Sequence, residues 1–354
     1  MSSSQVFPDD FYSGRRRARR ITLAVFLVVI ASSGILTASG TLDVLSFLGP
    51  HVDRSEWAFT MTGVRQLNSA GLTGAGVTVC LVDSGIDMLH PDFSHLHLLA
   101  WLDLVNFRPD PYDDRGHGTA MAGLIAADGS IRGVAPGVNM IVVKALNSIG
   151  LGSPQNVADG ISFCLNPLGN GTRSADIISL SLGSGSNNFF DVTVYNAVAY
   201  AVSRGVFVVV AAGNDPLADD VSTAAQVPLA IAVGAVDSTG TRAPFSEIGA
   251  SLNRTNPNLK PEITAPGVQL VSTSPGAHYV TVTGTSPATA LVAGLLALIL
   301  QAKPGLRPAG VTGNVMILKT ALMLGSSKAQ EQLLPHDPWY GYGIVNGPAT
   351  LAKL

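Results

Sequence analysis

A carboxylate, an imidazole and a hydroxyl occur in this chain in settings of small residues. Asp83 lies in Val82-Asp83-Ser84-Gly85-Ile86-Asp87, His117 in Arg115-Gly116-His117-Gly118-Thr119-Ala120, and Ser286 in Thr283-Gly284-Thr285-Ser286-Pro287-Ala288. A serine hydroxyl is a weak nucleophile at neutral pH. It needs a base beside it, and the base needs a third group to fix its tautomer and balance its growing positive charge. The three side chains supply those parts and point to nucleophilic hydrolysis, with Ser286 attacking, His117 moving the proton and Asp83 orienting the imidazole. Base and nucleophile are far apart in the sequence, so only the fold can join them.

The elements that must do so alternate between apolar strands and helical segments. The pattern predicts strands over 76–83, 139–145, 176–182, 205–212 and 228–236, and helices over 154–165, 190–204, 286–302 and 308–324. Continuous apolar runs such as Val206-Phe207-Val208-Val209-Val210 are the mark of strands buried on both faces. An α/β three-layer sandwich with a mostly parallel central sheet follows, and in such sheets functional groups gather beyond the carboxyl ends of the strands. Asp83 ends one predicted strand and Asn214 follows another. The apolar run Ala288–Leu300 has only 13 residues and starts beside Ser286, so it reads as a buried core helix rather than a membrane span. Cys80 falls in a predicted strand and Cys164 in a predicted helix, both in apolar company, and the expectation is two buried free thiols, with a disulfide between them the alternative that export would permit.

The chain has 354 residues, 47% of them hydrophobic, enough for a large core, with a net charge of −3. Its charges are unevenly placed: Arg15, Arg16, Arg17, Arg19 and Arg20 stand in the first twenty residues, and the remainder is mildly acidic. No basic stripe of the kind that binds nucleic acid is present. Behind the arginines, Ile21–Ala38 is an uncharged apolar run of 18 residues, long enough to cross a hydrocarbon core of about 30 Å as a helix. No Lys or Arg follows until Arg54, so the positive-inside rule places residues 1–20 in the cytoplasm and the chain beyond the apolar run outside it. The run is either a membrane anchor or a cleaved signal peptide, with small residues suited to cleavage at Thr37-Ala38-Ser39-Gly40. Residues 39–54 form a tether that, fully stretched, reaches roughly 50–55 Å. The catalytic domain is expected over 55–354.

At the three chemistry-bearing segments the chain resembles the subtilisin-like serine proteases, the subtilases. The nucleophile signature of that family reads here as Gly284-Thr285-Ser286-Pro287-Ala288-Thr289-Ala290-Leu291-Val292-Ala293-Gly294, and the histidine signature as His117-Gly118-Thr119-Ala120-Met121-Ala122-Gly123. Further matches are Ser179-Leu180-Ser181-Leu182-Gly183, Ala211-Ala212-Gly213-Asn214 and Ala265-Pro266-Gly267-Val268, in the order of the family. The resemblance spans roughly 57–347. It implies a serine endopeptidase whose oxyanion hole is formed by the Asn214 side chain and the Ser286 N–H. It also implies that an extended polypeptide pairs along Ser181, Leu182 and Gly183, with its first side chain walled by Ala211, Ala212 and Gly213. The alternative is a catalytically silent binding or assembly component on the same fold.

Three departures stand beside the motifs. Pro287 follows the nucleophile without an N–H, which the first turn of a helix tolerates. Ala290 and Leu291 replace the usual Pro-His, and Ala120 replaces a second histidine. No reacting atom is lost. The chemistry requires no cofactor, and no metal site is assigned: His90, His95 and His97 read as solvated loop histidines. Many relatives bind structural calcium, but Ala126–Arg132 is shorter than one such family loop and calcium is not predicted. Only about 16 residues separate the apolar run from the catalytic domain, too few for a folding prodomain of the usual kind, so activation is expected without one.

Overall fold

The computed structural model describes residues 55–169, 174–182, 192–249, 254–330 and 332–354. The predicted basic N-region, apolar run and tether therefore lie outside the described residues. Two short helices come first, α1 (Glu56–Met61) and α2 (Val64–Ser69), followed by strands β1 (Thr78–Asp83) and β2 (His97–Asp103) and helix α3 (His117–Ala126). Then come β3 (Asn139–Lys144), α4 (Pro154–Leu165), β4 (Ile177–Leu180), α5 (Val192–Ser203), β5 (Phe207–Ala211) and β6 (Ile231–Val236). The chain closes with β7 (Ile263–Pro266), a hairpin of β8 (Leu270–Ser274) and β9 (His278–Val282), and helices α6 (Thr285–Ala302), α7 (Gly313–Gly325) and α8 (Gly347–Leu351).

Seven strands form one sheet in the order β2-β3-β1-β4-β5-β6-β7, and every pairing in it is parallel. The period-2 alternation of the strands feeds two cores. Val79, Leu81, Val209 and Val233 face α3 and α6, whereas Cys80, Val82, Val208 and Val210 face α4 and α5. These are the two helical layers of a three-layer sandwich. Helix α6 is apolar on all sides because it is enclosed on all sides, and its residues Thr285–Leu300 are all buried. It is the one helix among the described residues long and apolar enough to cross a membrane, and 89% of its most apolar 18-residue window is buried in the protein.

The cysteine expectation is overturned. Cys80 and Cys164 form a disulfide with their Cα atoms 5.8 Å apart. Both residues were expected in the core and both are there, fully buried. Alternation along β1 sends the Cys80 side chain to the face that α4 covers, and Cys164 stands opposite it on that helix.

Several elements were not anticipated. β2 is a mostly half-buried edge strand interrupted by a bulge between Leu98 and Ala100, which blurs its alternation. Helix α3 has two glycines in ten residues, a poor helix sequence in isolation. Packing explains them: a Cβ on Gly118 would lie 2.2 Å from the Gly85 carbonyl oxygen, and one on Gly123 would lie 2.2 Å from Thr273 Oγ1. The close approach that these glycines permit sets α3 against the turn after β1 and against β8.

Candidate active site

Strand β1 ends at Asp83, where the chain turns away from the sheet. Its Oδ1 accepts the Ser84 N–H at 2.7 Å and faces His117 Nδ1, also at 2.7 Å. The imidazole is the first side chain of α3, and Asp83 is fully buried while the His117 side chain stays 27% exposed. Burial pushes the imidazole pKa down, but the charge and hydrogen bond of Asp83 more than offset it, and the net direction is upward. Asp113 adds to that rise and Arg115 opposes it. The second oxygen of Asp83, Oδ2, is buried without a hydrogen-bond partner. The carboxylate thus spends its acceptor capacity on one side, where it fixes the imidazole with Nδ1–H inward and Nε2 outward.

Two supporting residues were missed in the sequence. Asp113 accepts the N–H groups of Arg115, Gly116 and Thr119 and the hydroxyls of Ser84 and Thr119. A carboxylate in this position caps the first turn of α3 and ties it to the residue after Asp83, the arrangement helix N-termini favour. An acidic residue four positions before the helix start was the available signal. Lys144, paired in register with Asp83, is buried at the end of β3 and donates to the Ser84 and Leu146 carbonyls while pairing with Asp114 at 2.5 Å. A lysine in an otherwise apolar strand was its only trace.

Ser286 lies in the first turn of α6, where backbone N–H groups have no intrahelical acceptor. Its neighbour Pro287 occupies that same turn, so its missing N–H breaks no ladder. The Ser286 hydroxyl donates to the Ser181 carbonyl at 3.0 Å rather than to His117, and Ser181 Oγ returns a bond to the Ser286 carbonyl at 3.2 Å. Sequence reasoning paired the hydroxyl with the imidazole, whereas its hydrogen bond here goes to the Ser181 carbonyl.

Asn214 follows β5 at the surface. Its Oδ1 accepts both the N–H of Thr285, at 2.9 Å, and the Thr285 hydroxyl, at 3.1 Å. A backbone N–H can only face the oxygen of the amide, so the NH2 end is left to donate elsewhere. Thr285 Oγ1 also accepts the Gly213 N–H at 3.3 Å, binding the loop after β5 to the start of α6. Asp83, Ser181 and Asn214 therefore follow or end β1, β4 and β5, three adjacent strands, at their carboxyl ends.

Of the predicted peptide-binding residues, Ser181 is buried and Leu182 half-buried just past β4, and Gly183 lies outside the described residues. Ala211, Ala212 and Gly213 are buried at the end of β5. Behind Gly213 stands an acidic residue that sequence reasoning did not single out. A Cβ on Gly213 would lie 2.0 Å from the carboxyl carbon of Glu247, whose pKa burial pushes up to about 7.

The histidines read as solvated have partners of their own. His90 Nδ1 accepts the Asp92 N–H and its Nε2 meets the His278 carbonyl; His95 meets the Ala126 carbonyl, and His97 meets Asn139. Among the described residues no group of three or more His, Cys, Asp or Glu is arranged to hold a metal ion.

Comparison with known proteins agrees with the geometry. The Subtilase family matches residues 74–343. Subtilisin Savinase of Lederbergia lenta is 36% identical over 297 residues, covering 83% of this chain and 97% of that protein. Serine protease AprX of Bacillus subtilis (strain 168) is 36% identical over 308 residues, covering 79% of this chain and 67% of its own length. Subtilisin E of the same organism is 37% identical over 291 residues, covering 80% and 68%. An all-parallel sheet that gathers these side chains at its carboxyl ends, matched over most of its length by named serine proteases, places this chain in the subtilase family of serine endopeptidases.

Proposed function

We propose that the chain hydrolyses peptide bonds through an acyl-enzyme on Ser286, with His117 as general base and acid, Asp83 as its orienting carboxylate and Asn214 as an oxyanion donor. The observation that carries the reading is the 2.7 Å contact between Asp83 Oδ1 and His117 Nδ1, made by a buried carboxylate to a partly exposed imidazole. An extended substrate lies along Ser181, Leu182 and Gly183 with its first side chain against Ala211, Ala212 and Gly213. A substrate N–H that takes the Ser181 carbonyl displaces the Ser286 hydroxyl, which then turns to His117 Nε2. Oγ attacks the carbonyl carbon as its proton passes to Nε2, and the carbonyl π electrons move to oxygen. Asn214 Nδ2 and the Ser286 N–H donate to that oxyanion, and the dipole of α6 favours the negative charge. His117 then protonates the leaving amine as the C–N bond breaks. Water, deprotonated by His117, releases the acid and restores Ser286. Every charge is met by a side chain or a backbone N–H, so the chemistry requires no cofactor.

On the same reading the catalytic domain works outside the cytoplasm, held near a membrane by residues 21–38 or released if they are cleaved. The Arg-flanked apolar run supports this, and so does the Cys80–Cys164 bridge, since structural disulfides persist in oxidising compartments. Intact mass of the membrane fraction tests the tether; a mature protein starting near Gly40 refutes the anchor. The chemistry is tested with a fluorophosphonate probe on the folded protein, beside an active control protease and a Ser286→Ala variant. Labelling is expected on Ser286 alone. A folded protein that takes no label is the silent binding component instead.

A further inference from the structure

We infer that Glu247 is a positioning residue for the oxyanion hole, holding the Gly213-Asn214-Asp215 loop from behind so that the Asn214 amide faces the reacting carbonyl. The inference rests on the role proposed above for Asn214.

The loop is gripped from two sides. On the front, Thr285 takes the Gly213 N–H on its hydroxyl and gives its own N–H and O–H to Asn214 Oδ1. On the back, Glu247 donates its N–H to the Gly213 carbonyl at 3.1 Å, and its Oε1 accepts the Asp215 N–H at 3.1 Å. The carboxyl group fills the space that a side chain at Gly213 would need, and Gly213 adopts φ +120°, a conformation open to glycine. Glu247 is 4% exposed, so the contact is a packed one and not a surface association. It does not reach the reacting atoms and acts only through the loop.

The charges around Glu247 make the grip sensitive to protonation. Asp215 and Asp220, on the segment after β5, both raise its pKa beyond the effect of burial, whereas the Asp215 and Asn214 N–H groups pull it down. Arg254 pairs with Asp220, and Arg242, on the same segment as Glu247, donates to the Ser246 carbonyl. The result is a carboxyl that titrates at about 7. An ionised carboxylate is the stronger acceptor for backbone N–H groups, so the loop is held best above that pH. His117 must also be neutral to act as base. Two ionisations therefore govern the acidic limb of turnover, one at the base and one behind the oxyanion donor.

The test is steady-state hydrolysis of a chromogenic peptide amide by the full chain between about pH 5.5 and 9, for the native protein and four variants: Glu247→Gln, Glu247→Ala, Asn214→Ala and Asn214→Ala combined with Glu247→Ala. Glu247→Ala is expected to lower kcat about 10-fold with KM changed less than about 2-fold, the signature of an interaction made in the transition state. Glu247→Gln keeps an acceptor of the same shape, restores kcat to within about 3-fold and reduces the acidic limb to one ionisation. In the Asn214→Ala background, removing Glu247 is expected to change kcat less than about 2-fold, because the donor it positions is gone. A further loss of about 10-fold in that background overturns the inference, as does an acidic limb in Glu247→Gln identical to the native one. Asn214→Ala with native kcat instead overturns the oxyanion reading itself. If Glu247→Ala does not fold, the pH profile of Glu247→Gln decides.

Discussion

Two clusters of buried charge in this molecule differ in what surrounds them. At one, a buried Asp83 meets a partly exposed His117; at the other, the ammonium groups of Lys260 and Lys319 stand 2.8 and 2.6 Å from a single oxygen of Glu262, with all three residues out of solvent. Both approaches to Glu262 Oε1 are ion pairs, while Oε2 accepts the Ala232 N–H at 2.7 Å. Lys260 also donates to the Val227 and Ala230 carbonyls, and Lys319 to the Ala230 carbonyl and Asn258. Burial pulls Lys260 down to about 7, a departure as large as many catalytic groups show. Yet the cluster is wrapped by backbone carbonyls and offers no atom to a substrate. The Asp83–His117 pair leaves its imidazole partly open. Perturbed titration marks a group taken out of water; access and an oriented partner are what distinguish a site of chemistry from a structural knot.

The two clusters should respond in opposite ways to loss of their carboxylate. Asp83→Asn is expected to lower kcat by about 10⁴, the order seen for this change in other triad hydrolases, with the midpoint of unfolding little altered. The acidic limb of the residual activity should move to lower pH. With the carboxylate charge gone, the burial that depresses the His117 pKa is no longer outweighed, so the imidazole becomes neutral earlier. A limb that stays in place removes Asp83 as the cause of the raised imidazole.

Glu262→Gln should do the reverse. Two buried ammonium groups would lose the carboxylate they share, and leaving a buried charge unpaired costs about 3–5 kcal/mol. Thermal unfolding should show a clear fall in midpoint, while the fraction still folded at about 20 °C turns over substrate within about 2-fold of the native rate. A large loss of kcat in folded Glu262→Gln would mean that the cluster communicates with the site. The disulfide is a third case, since Cys80 precedes Asp83 in the same strand. Replacing both Cys80 and Cys164 with alanine is expected to remove about 2–4 kcal/mol of stability. Turnover at room temperature should persist, because Asp83 and Asp113 fix the His117 turn by bonds of their own.

The part of this molecule that its sequence reveals is set by the length scale of each interaction. Asp83, His117, Ser286 and Asn214 stand in short motifs whose small residues reflect tight turns, and local sequence carries them. The buried strands β1, β3, β4, β5 and β6 were legible because both of their faces are covered and their apolar runs are continuous. β7 is only four residues long, and β2 is half-buried and bulged; neither has a periodicity to read. The Cys80–Cys164 bridge depends on which strand face α4 covers, a tertiary fact. Lys260, Lys319 and Glu247 carry residue types that usually mean surface, and only the fold reveals that carbonyls or backbone N–H groups replace water around them. The resting bond from Ser286 to Ser181 is a matter of rotamer, finer than any motif.

Glu247 lies between the two cases, structural in its burial and adjacent to the chemistry, and its stability effect should be smaller than those of Glu262 and the disulfide. Its folded pKa of about 7 exceeds its ordinary value of 4.5, so the folded state holds a proton that the unfolded chain has released. Stability from this group is therefore unaffected below pH 4.5, falls as pH rises through 4.5 to about 7, and stays reduced above that. Glutamine at 247 does not titrate. Glu247→Gln should thus match the native protein near about pH 4 and exceed it by about 1–3 kcal/mol at about pH 8, seen as a higher unfolding midpoint only on the alkaline side. An advantage that is the same at both pH values would reflect packing rather than charge. An alkaline gain in stability together with a changed acidic limb of kcat would show one carboxylate retained at a thermodynamic disadvantage for the loop it supports.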